Sequence, residues 1–370
     1  LACNASNLPV HLFIGDKDFL YKTAQEWKAK FETFTSRFNY IEYPGIGHNS
    51  WEQAYEDGFI FEWFSQFKRD QFPDQVKFAT RWFKYNKAYW VKLDNFTPGT
   101  LTTIDAKFTG VNSVEVTTVN LDAVTFNLAG HSQFNPVKKL TVKIDGKSFN
   151  ISTGDGVSFM KNNGAWVNRK FAPRLTSKQP GAEGPINAAT SSNHIYVYGT
   201  GGNPSREELA ARRAQAASAA DWSGMGGRIM VFPRVLSDKE LRESDFDNCN
   251  IILFGTRETN LIIDRLGDKL PLHLNDDVRD HGLVYIYPIN DHYVLINSGL
   301  PWWTTPKSKA RQGGMAFMGS AIEMLKNYKD FILFKETPDN IISEGYFDND
   351  WKLPADALSA IKSSEVTGIK

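Results

Sequence analysis

With 370 residues, of which 41% are hydrophobic and 13% aromatic, the chain is long enough for roughly two or three domains with sizeable cores. Lysine plus arginine and aspartate plus glutamate number 42 each, so no net charge favours a nucleic acid or an anionic membrane surface as a partner. Cys3 and Cys249 are too few for a disulfide scaffold, and no run of about 20 apolar residues indicates a membrane span.

The first stretch with a clear pattern covers residues 8–51. An apolar strand at 9–14 ends in Gly15-Asp16-Lys17-Asp18, a helix follows at 23–34, and a second strand at 38–43 ends in Pro44-Gly45-Ile46-Gly47-His48. The right-handed crossover of such a unit brings the carboxyl ends of both strands to one edge of the sheet. Because neighbouring strands lie roughly 5 Å apart, we expect Asp18 and His48 to meet there.

A carboxylate and an imidazole in contact have a known chemical use. A carboxylate that holds the Nδ1–H of a histidine leaves Nε2 free to take a proton from a nucleophile, which is what a serine hydrolase needs. The alternative is structural, because Gly-Asp-Lys-Asp can be an ordinary turn before a capped helix and a histidine after Pro-Gly can be a loop residue.

The motifs Gly15-x-x-Asp18 and Pro44-Gly45-x-Gly47-His48, followed by an aromatic-rich helix, resemble the last third of an α/β-hydrolase domain. The resemblance is strongest to prolyl-oligopeptidase-like serine peptidases and esterases. In that family the chain order is Ser, Asp, His, so the resemblance implies Asp18 as the triad acid and His48 as the base, with Asp16 as the second candidate for the acid. No Gly-x-Ser-x-Gly precedes Asp18. The resemblance therefore implies that the nucleophilic serine lies upstream or on another chain.

Residues 52–68 are predicted to continue this unit as a helix. Aromatic residues recur there at a spacing near four, which is typical of a stripe that packs into a core: Trp51, Tyr55, Phe59, Trp63 and Phe67. Two strands and two helices cannot cover a parallel sheet on both faces. We therefore expect residues 1–72 to form the C-terminal part of a larger α/β-hydrolase domain.

Residues 73–170 have a different pattern, in which short β-type runs alternate with turn residues. The runs lie at 102–109, 113–118, 123–128, 139–144, 156–161 and 165–168. This pattern predicts an antiparallel β-sandwich-like domain. Gly130-His131-Ser132 resembles the start of a nucleophile elbow, but Phe134 replaces the closing glycine and a strand follows. A hairpin loop is the better interpretation.

A linker is predicted at 171–192, where proline and glycine recur, and a third domain at 193–370. Predicted strands at 194–198, 228–232, 250–254, 293–297 and 331–334 alternate with predicted helices at 205–221, 239–242, 258–270 and 314–328. Such alternation indicates a doubly wound, mostly parallel, Rossmann-like sheet. The whole arrangement of domains also resembles large multidomain bacterial proteins of the prolyl-oligopeptidase-like group.

Two glycine-rich turns in the third domain could hold an anion at a helix N-terminus. They are Tyr198-Gly199-Thr200-Gly201-Gly202 and Phe254-Gly255-Thr256. Neither is a full nucleotide-binding fingerprint, so tight strand-to-helix turns are the simpler interpretation and no cofactor is predicted. The histidines are not spaced like zinc ligands, so no metal site is predicted. Trp302-Trp303 could contact a ligand or fill an interface.

The sequence as a whole predicts an α/β and β multidomain protein that contains the C-terminal portion of a serine hydrolase. Asp18 and His48 would serve acyl transfer to water at a peptide or ester carbonyl, with the serine supplied from elsewhere. The alternative is a non-catalytic binding or structural module that keeps the hydrolase remnant only for packing.

Overall fold

The computed structural model describes residues 1–153, 157–223, 233–303 and 328–370. The chain divides into two compact units, Leu1–Pro173 and Arg174–Lys370. The multi-sheet architecture, with α/β and β-rich parts, agrees with the fold class predicted from the sequence.

The first unit opens with a strand–helix–strand segment. Strand β1 (Val10–Gly15), helix α1 (Tyr21–Phe34) and strand β2 (Phe38–Tyr43) follow in order, and the strands pair in parallel from Val10 opposite Phe38 to Gly15 opposite Tyr43. The parallel pairing places the ends of both strands at one edge, as the sequence predicts.

The predicted helix at 52–68 is interrupted. It forms α2 (Trp51–Tyr55) and α3 (Phe59–Ser65), separated by Asp57 and Gly58 with φ of 53° and 75°. A left-handed pair ends the α-helical hydrogen bonding, so the spacing of four no longer defines one face. The predicted core stripe is wrong for Trp51, Tyr55 and Phe59, which are exposed. Trp63 does pack inward, with its ring 5.4 Å from that of His11.

The rest of the first unit consists of two five-stranded sheets around one core. The strands are β3 (Gln75–Thr80), β4 (Lys87–Ala88), β5 (Val91–Phe96), β6 (Thr102–Gly110), β7 (Ser113–Val119), β8 (Leu121–Phe126), β9 (Leu140–Ile144), β10 (Lys147–Ile151), β11 (Val157–Asn162) and β12 (Ala165–Val167). The sheet orders are β10-β9-β7-β6-β3 and β12-β11-β8-β5-β4. Buried and exposed residues alternate along β6 and β9, as in sheets with one face toward the core.

One pair in this β-rich part departs from the predicted antiparallel arrangement. β7 and β9 pair in parallel. Strand β8 leaves β7 for the other sheet and the chain then returns to β9, so β7 and β9 start at the same end. Asn112 holds the segment between β8 and β9 in place. Its side-chain amide donates to the carbonyl of Asn135 at 2.8 Å, and its Oδ1 accepts the Asn135 N–H at 2.6 Å.

The second unit is built on a seven-stranded sheet. Its elements are β13 (His194–Tyr198), α4 (Arg206–Ser223), β14 (Arg234–Ser237), α5 (Glu243–Phe246), β15 (Asn250–Phe254), α6 (Leu261–Leu266), β16 (Leu272–Leu274), β17 (His281–Ile289), β18 (His292–Gly299), β19 (Phe331–Lys335), β20 (Ile341–Gly345), α7 (Ala355–Ser364) and β21 (Thr367–Ile369). The sheet order is β14-β13-β15-β18-β17-β19-β20, and β16 pairs separately with β21.

This sheet is mixed rather than mostly parallel. β14, β13, β15 and β18 are parallel neighbours, whereas β17, β19 and β20 add to them in antiparallel pairs. β17 was not predicted from the sequence, because Pro288 argues against a strand that needs its backbone N–H groups. α6 is also shorter than the helix predicted at 258–270. The predicted strand at 228–232 and all but the last residue of the predicted helix at 314–328 lie outside the described residues.

A buried ion pair lies within the second unit. The side chains of Lys178 and Asp330 are 0% exposed and in direct contact. Lys178 also donates to the Glu183 carbonyl at 3.0 Å and its Nζ lies 4.5 Å from the centre of the Trp351 ring, while Asp330 Oδ2 accepts the Phe347 N–H at 2.9 Å. Burial raises the pKa of Asp330 to about 6 and lowers the pKa of Lys178. Lys178, in the predicted linker, is thus anchored in the core of this unit.

Candidate active site

Asp18 is positioned by the turn between β1 and α1. Its N–H donates to the Gly15 carbonyl at 3.1 Å, and its own carbonyl accepts the Tyr21 N–H at 3.0 Å. Its side-chain Oδ1 accepts the Leu20 N–H at 2.8 Å, the local bond that aspartate forms with the backbone two residues on. These bonds fix the carboxylate at the start of α1, where its side chain is only 2% exposed.

The turn after β2 lies directly against the turn after β1. The Lys17 N–H donates to the Ile46 carbonyl at 3.0 Å, and Asp16 Oδ1 accepts the Gly45 N–H at 2.8 Å. Gly15 has to be glycine, because a Cβ there would lie 2.1 Å from the Ile46 oxygen. The carboxylate of Asp16 is therefore engaged in holding the second turn.

The structure brings Asp18, and not Asp16, to His48. Nδ1 of His48 lies 3.0 Å from Oδ2 of Asp18. The His48 side chain is 49% exposed, whereas that of Asp18 is almost fully enclosed. With its proton on Nδ1, the imidazole donates to the carboxylate and presents the lone pair of Nε2. Within the described part of the chain, nothing hydrogen-bonds to Nε2.

Two aromatic rings flank the imidazole. The Phe19 ring centre lies 4.9 Å from that of His48 with an interplanar angle of 32°, and the Trp51 ring meets it edge-on at 6.0 Å. Both rings are exposed to solvent, Phe19 at 64% and Trp51 at 46%. Phe19 was not identified from the sequence as a site residue, because its contact with the imidazole depends on side-chain directions within the turn.

The glycine-rich turns of the second unit hold an internal carboxylate. Asp238 Oδ2 accepts the N–H groups of Thr200 and of Leu261, each at 2.8 Å, and Oδ1 accepts the Thr200 hydroxyl at 2.7 Å. The two turns also touch, since the Gly201 N–H donates to the Thr259 carbonyl at 3.0 Å. Two of the backbone N–H groups that could attract an anion here, those of Thr200 and Leu261, are thus satisfied by Asp238, which favours the interpretation as tight turns.

The remaining candidate site residues from the sequence are buried and packed against other side chains. His131 is buried, and its ring stacks on Phe108 with 3.9 Å between ring centres. Trp302 and Trp303 are buried in the second unit, where the Trp302 indole N–H donates to Asn297 Oδ1 at 2.9 Å. Among the described residues, no cluster of His, Cys, Asp and Glu could hold a metal ion. None of the described helices has both the length and the apolar character needed to cross a bilayer.

Comparison with known proteins gave no match, whether to protein-family models, to curated proteins or to solved structures.

Proposed function

We propose that this chain supplies the acid and the base of a serine hydrolase that cleaves a peptide or ester bond by acyl transfer to water. The observation that carries the proposal is the 3.0 Å contact between Nδ1 of His48 and the enclosed carboxylate of Asp18, with Nε2 open to an incoming group. Asp16, the other acid in the turn, is bonded to the Gly45 N–H instead.

Each residue has a defined role in this proposal. Nε2 of His48 takes the proton from a serine hydroxyl as the serine attacks the carbonyl, and later gives a proton to the leaving group. Asp18 holds the imidazole in the correct tautomer and stabilises the imidazolium that forms. The serine would come from an upstream segment or a companion chain. No cofactor enters the reaction.

The finer assignment of fold is part of the same proposal. We assign residues 1–72 to the C-terminal part of a prolyl-oligopeptidase-like α/β-hydrolase domain. Support comes from the parallel β1–β2 pair with α1 as its crossover and from exposed Tyr55, Phe59 and Phe64 on α2 and α3, which a larger domain would cover. We also assign a Rossmann-like relationship to the second unit, because its strands β14, β13, β15 and β18 are parallel and linked in part by helices.

The proposal is tested on the native protein together with any upstream segment or companion chain that accompanies it. A fluorophosphonate probe should label a serine, and His48→Ala should abolish both labelling and ester hydrolysis. Asp18→Asn should lower kcat by about 10³- to 10⁴-fold, since the wrong imidazole tautomer would then be favoured.

His292→Ala is the matched control. The Nε2–H of its half-buried ring donates to the Asp247 carbonyl, 2.9 Å away in the second unit, so hydrolysis should be unchanged. If His48→Ala hydrolyses esters as well as the wild type, the catalytic assignment is wrong. A module that uses this segment only for packing would then be the better account.

A further inference from the structure

The surroundings of His48 differ sharply between its two nitrogen atoms. Nδ1 faces a carboxylate whose charge is met by the imidazole and by the Leu20 N–H. Besides the Asp18 carboxylate, the aromatic rings of Phe19 and Trp51 contact the imidazole. No other ion pair or hydrogen bond to the ring occurs in the described part of the chain.

We infer that Phe19 and Trp51 form an apolar subsite for the leaving group of the substrate. This inference rests on the proposed function, because His48 must protonate the leaving group and so must lie next to it. A group bound at Nε2 lies next to an imidazole that both rings contact. Aromatic rings bind an uncharged aromatic or aliphatic group through contact area and offset or edge-on ring contacts. The preferred substrates are therefore esters or amides whose alcohol or amine portion is apolar and uncharged next to the scissile bond.

The exposure of the two rings supports a binding role. Phe19 is 64% exposed and Trp51 is 46% exposed. A single exposed apolar side chain is ordinary on a protein surface, but here two exposed aromatic rings contact the same imidazole. Phe19 is held there by the Asp18 turn, which also fixes the carboxylate.

The test measures binding of a leaving-group analogue to the full chain and needs no nucleophile. Benzyl alcohol is titrated into protein labelled with ¹³C-histidine, and the His48 resonance is identified by its loss in His48→Gln. We expect a saturable shift of the His48 resonance, no shift of the His292 resonance, and no response to glycerol. Phe19→Ala should weaken the apparent affinity about three- to tenfold, the range expected from one aromatic contact. The affinity of Phe19→Leu should lie between those of the wild type and Phe19→Ala.

Phe61→Ala is the matched control. Phe61 is also exposed, at 66%, and its ring contacts Tyr55 rather than His48. The affinity of this variant should equal that of the wild type. The inference is overturned if benzyl alcohol leaves the His48 resonance unchanged, or if Phe19→Ala binds as tightly as the wild type.

The two proposals fail in different ways. If hydrolysis depends on His48 but benzyl alcohol binds equally well without the Phe19 ring, only the subsite is refuted. If benzyl alcohol binds as expected but no serine is labelled by the fluorophosphonate probe, the hydrolase proposal is refuted and an apolar binding site remains.

Discussion

Removing one member of the Lys178–Asp330 pair should destabilise the second unit strongly. In Lys178→Met, the Asp330 carboxylate stays 0% exposed and retains the Phe347 N–H on Oδ2, while Oδ1 already has no hydrogen-bond partner among the described residues. Loss of one partner of a buried ion pair costs about 3–5 kcal/mol of unfolding free energy. For a unit of this size, that corresponds to a fall in Tm of about 6–20 °C, measurable by calorimetry.

Two further variants make the test specific. The double variant Lys178→Met/Asp330→Asn should lose less unfolding free energy than the sum of the losses in the two single variants, because no buried charge then remains unpaired. Lys335→Met is the surface control, since Lys335 pairs with Asp280 at 3.4 Å and both side chains are about half exposed. Lys335→Met should lower the unfolding free energy by about 1 kcal/mol or less. A Tm for Lys178→Met within the range of this control would refute the reasoning.

Because burial raises the pKa of Asp330 to about 6, above its ordinary 3.8, its stabilising contribution is complete below about pH 4 and is lost as the pH rises through 6. The difference in unfolding free energy between the wild type and Asp330→Asn, measured by urea unfolding, should therefore grow as the pH falls from 7 to 4, and a flat difference would contradict this. Gly15→Ala should displace the turn that carries His48 and abolish hydrolysis, whereas Gly47→Ala, where a Cβ meets nothing within 4 Å, should leave hydrolysis intact. Asn112→Ala should lower the unfolding free energy by about 2–4 kcal/mol and Asn112→Gly by less, since glycine accepts the φ of 53° but makes none of the side-chain hydrogen bonds.

The meeting of Asp18 and His48 follows from local sequence. Turn residues at the ends of two consecutive strands, joined by a helix of sufficient length, come to one edge for reasons of chirality alone. The choice between Asp16 and Asp18 needed the Gly-x-x-Asp spacing as well. The ring contact of Phe19 with the imidazole could not be predicted, because it depends on side-chain directions within a turn rather than on periodicity.

Three features of the fold were not predicted from the sequence: the break in the helix predicted at 52–68, strand β17 and the buried ion pair. Asp57-Gly58 is a turn signal, yet it lies inside an aromatic repeat that favours one continuous helix. Pro288 lies in β17 next to the two-residue turn at Asn290-Asp291, and it weakens what is otherwise a strong hairpin pattern. The Lys178–Asp330 pair has no sequence signal, because lysine and aspartate are usually exposed and these two lie 152 positions apart.

The carboxylate of Asp238 has a consequence for protein engineering. It occupies a small anion-binding site formed by the backbone N–H groups of Thr200 and Leu261 and the Thr200 hydroxyl. Removal of the side chain in Asp238→Gly would leave this site open to a small oxyanion from solution. Formate at millimolar concentration should then raise the Tm of Asp238→Gly and not that of the wild type. If formate changes the Tm of both proteins equally, the anion-binding site does not persist once the Asp238 side chain is removed.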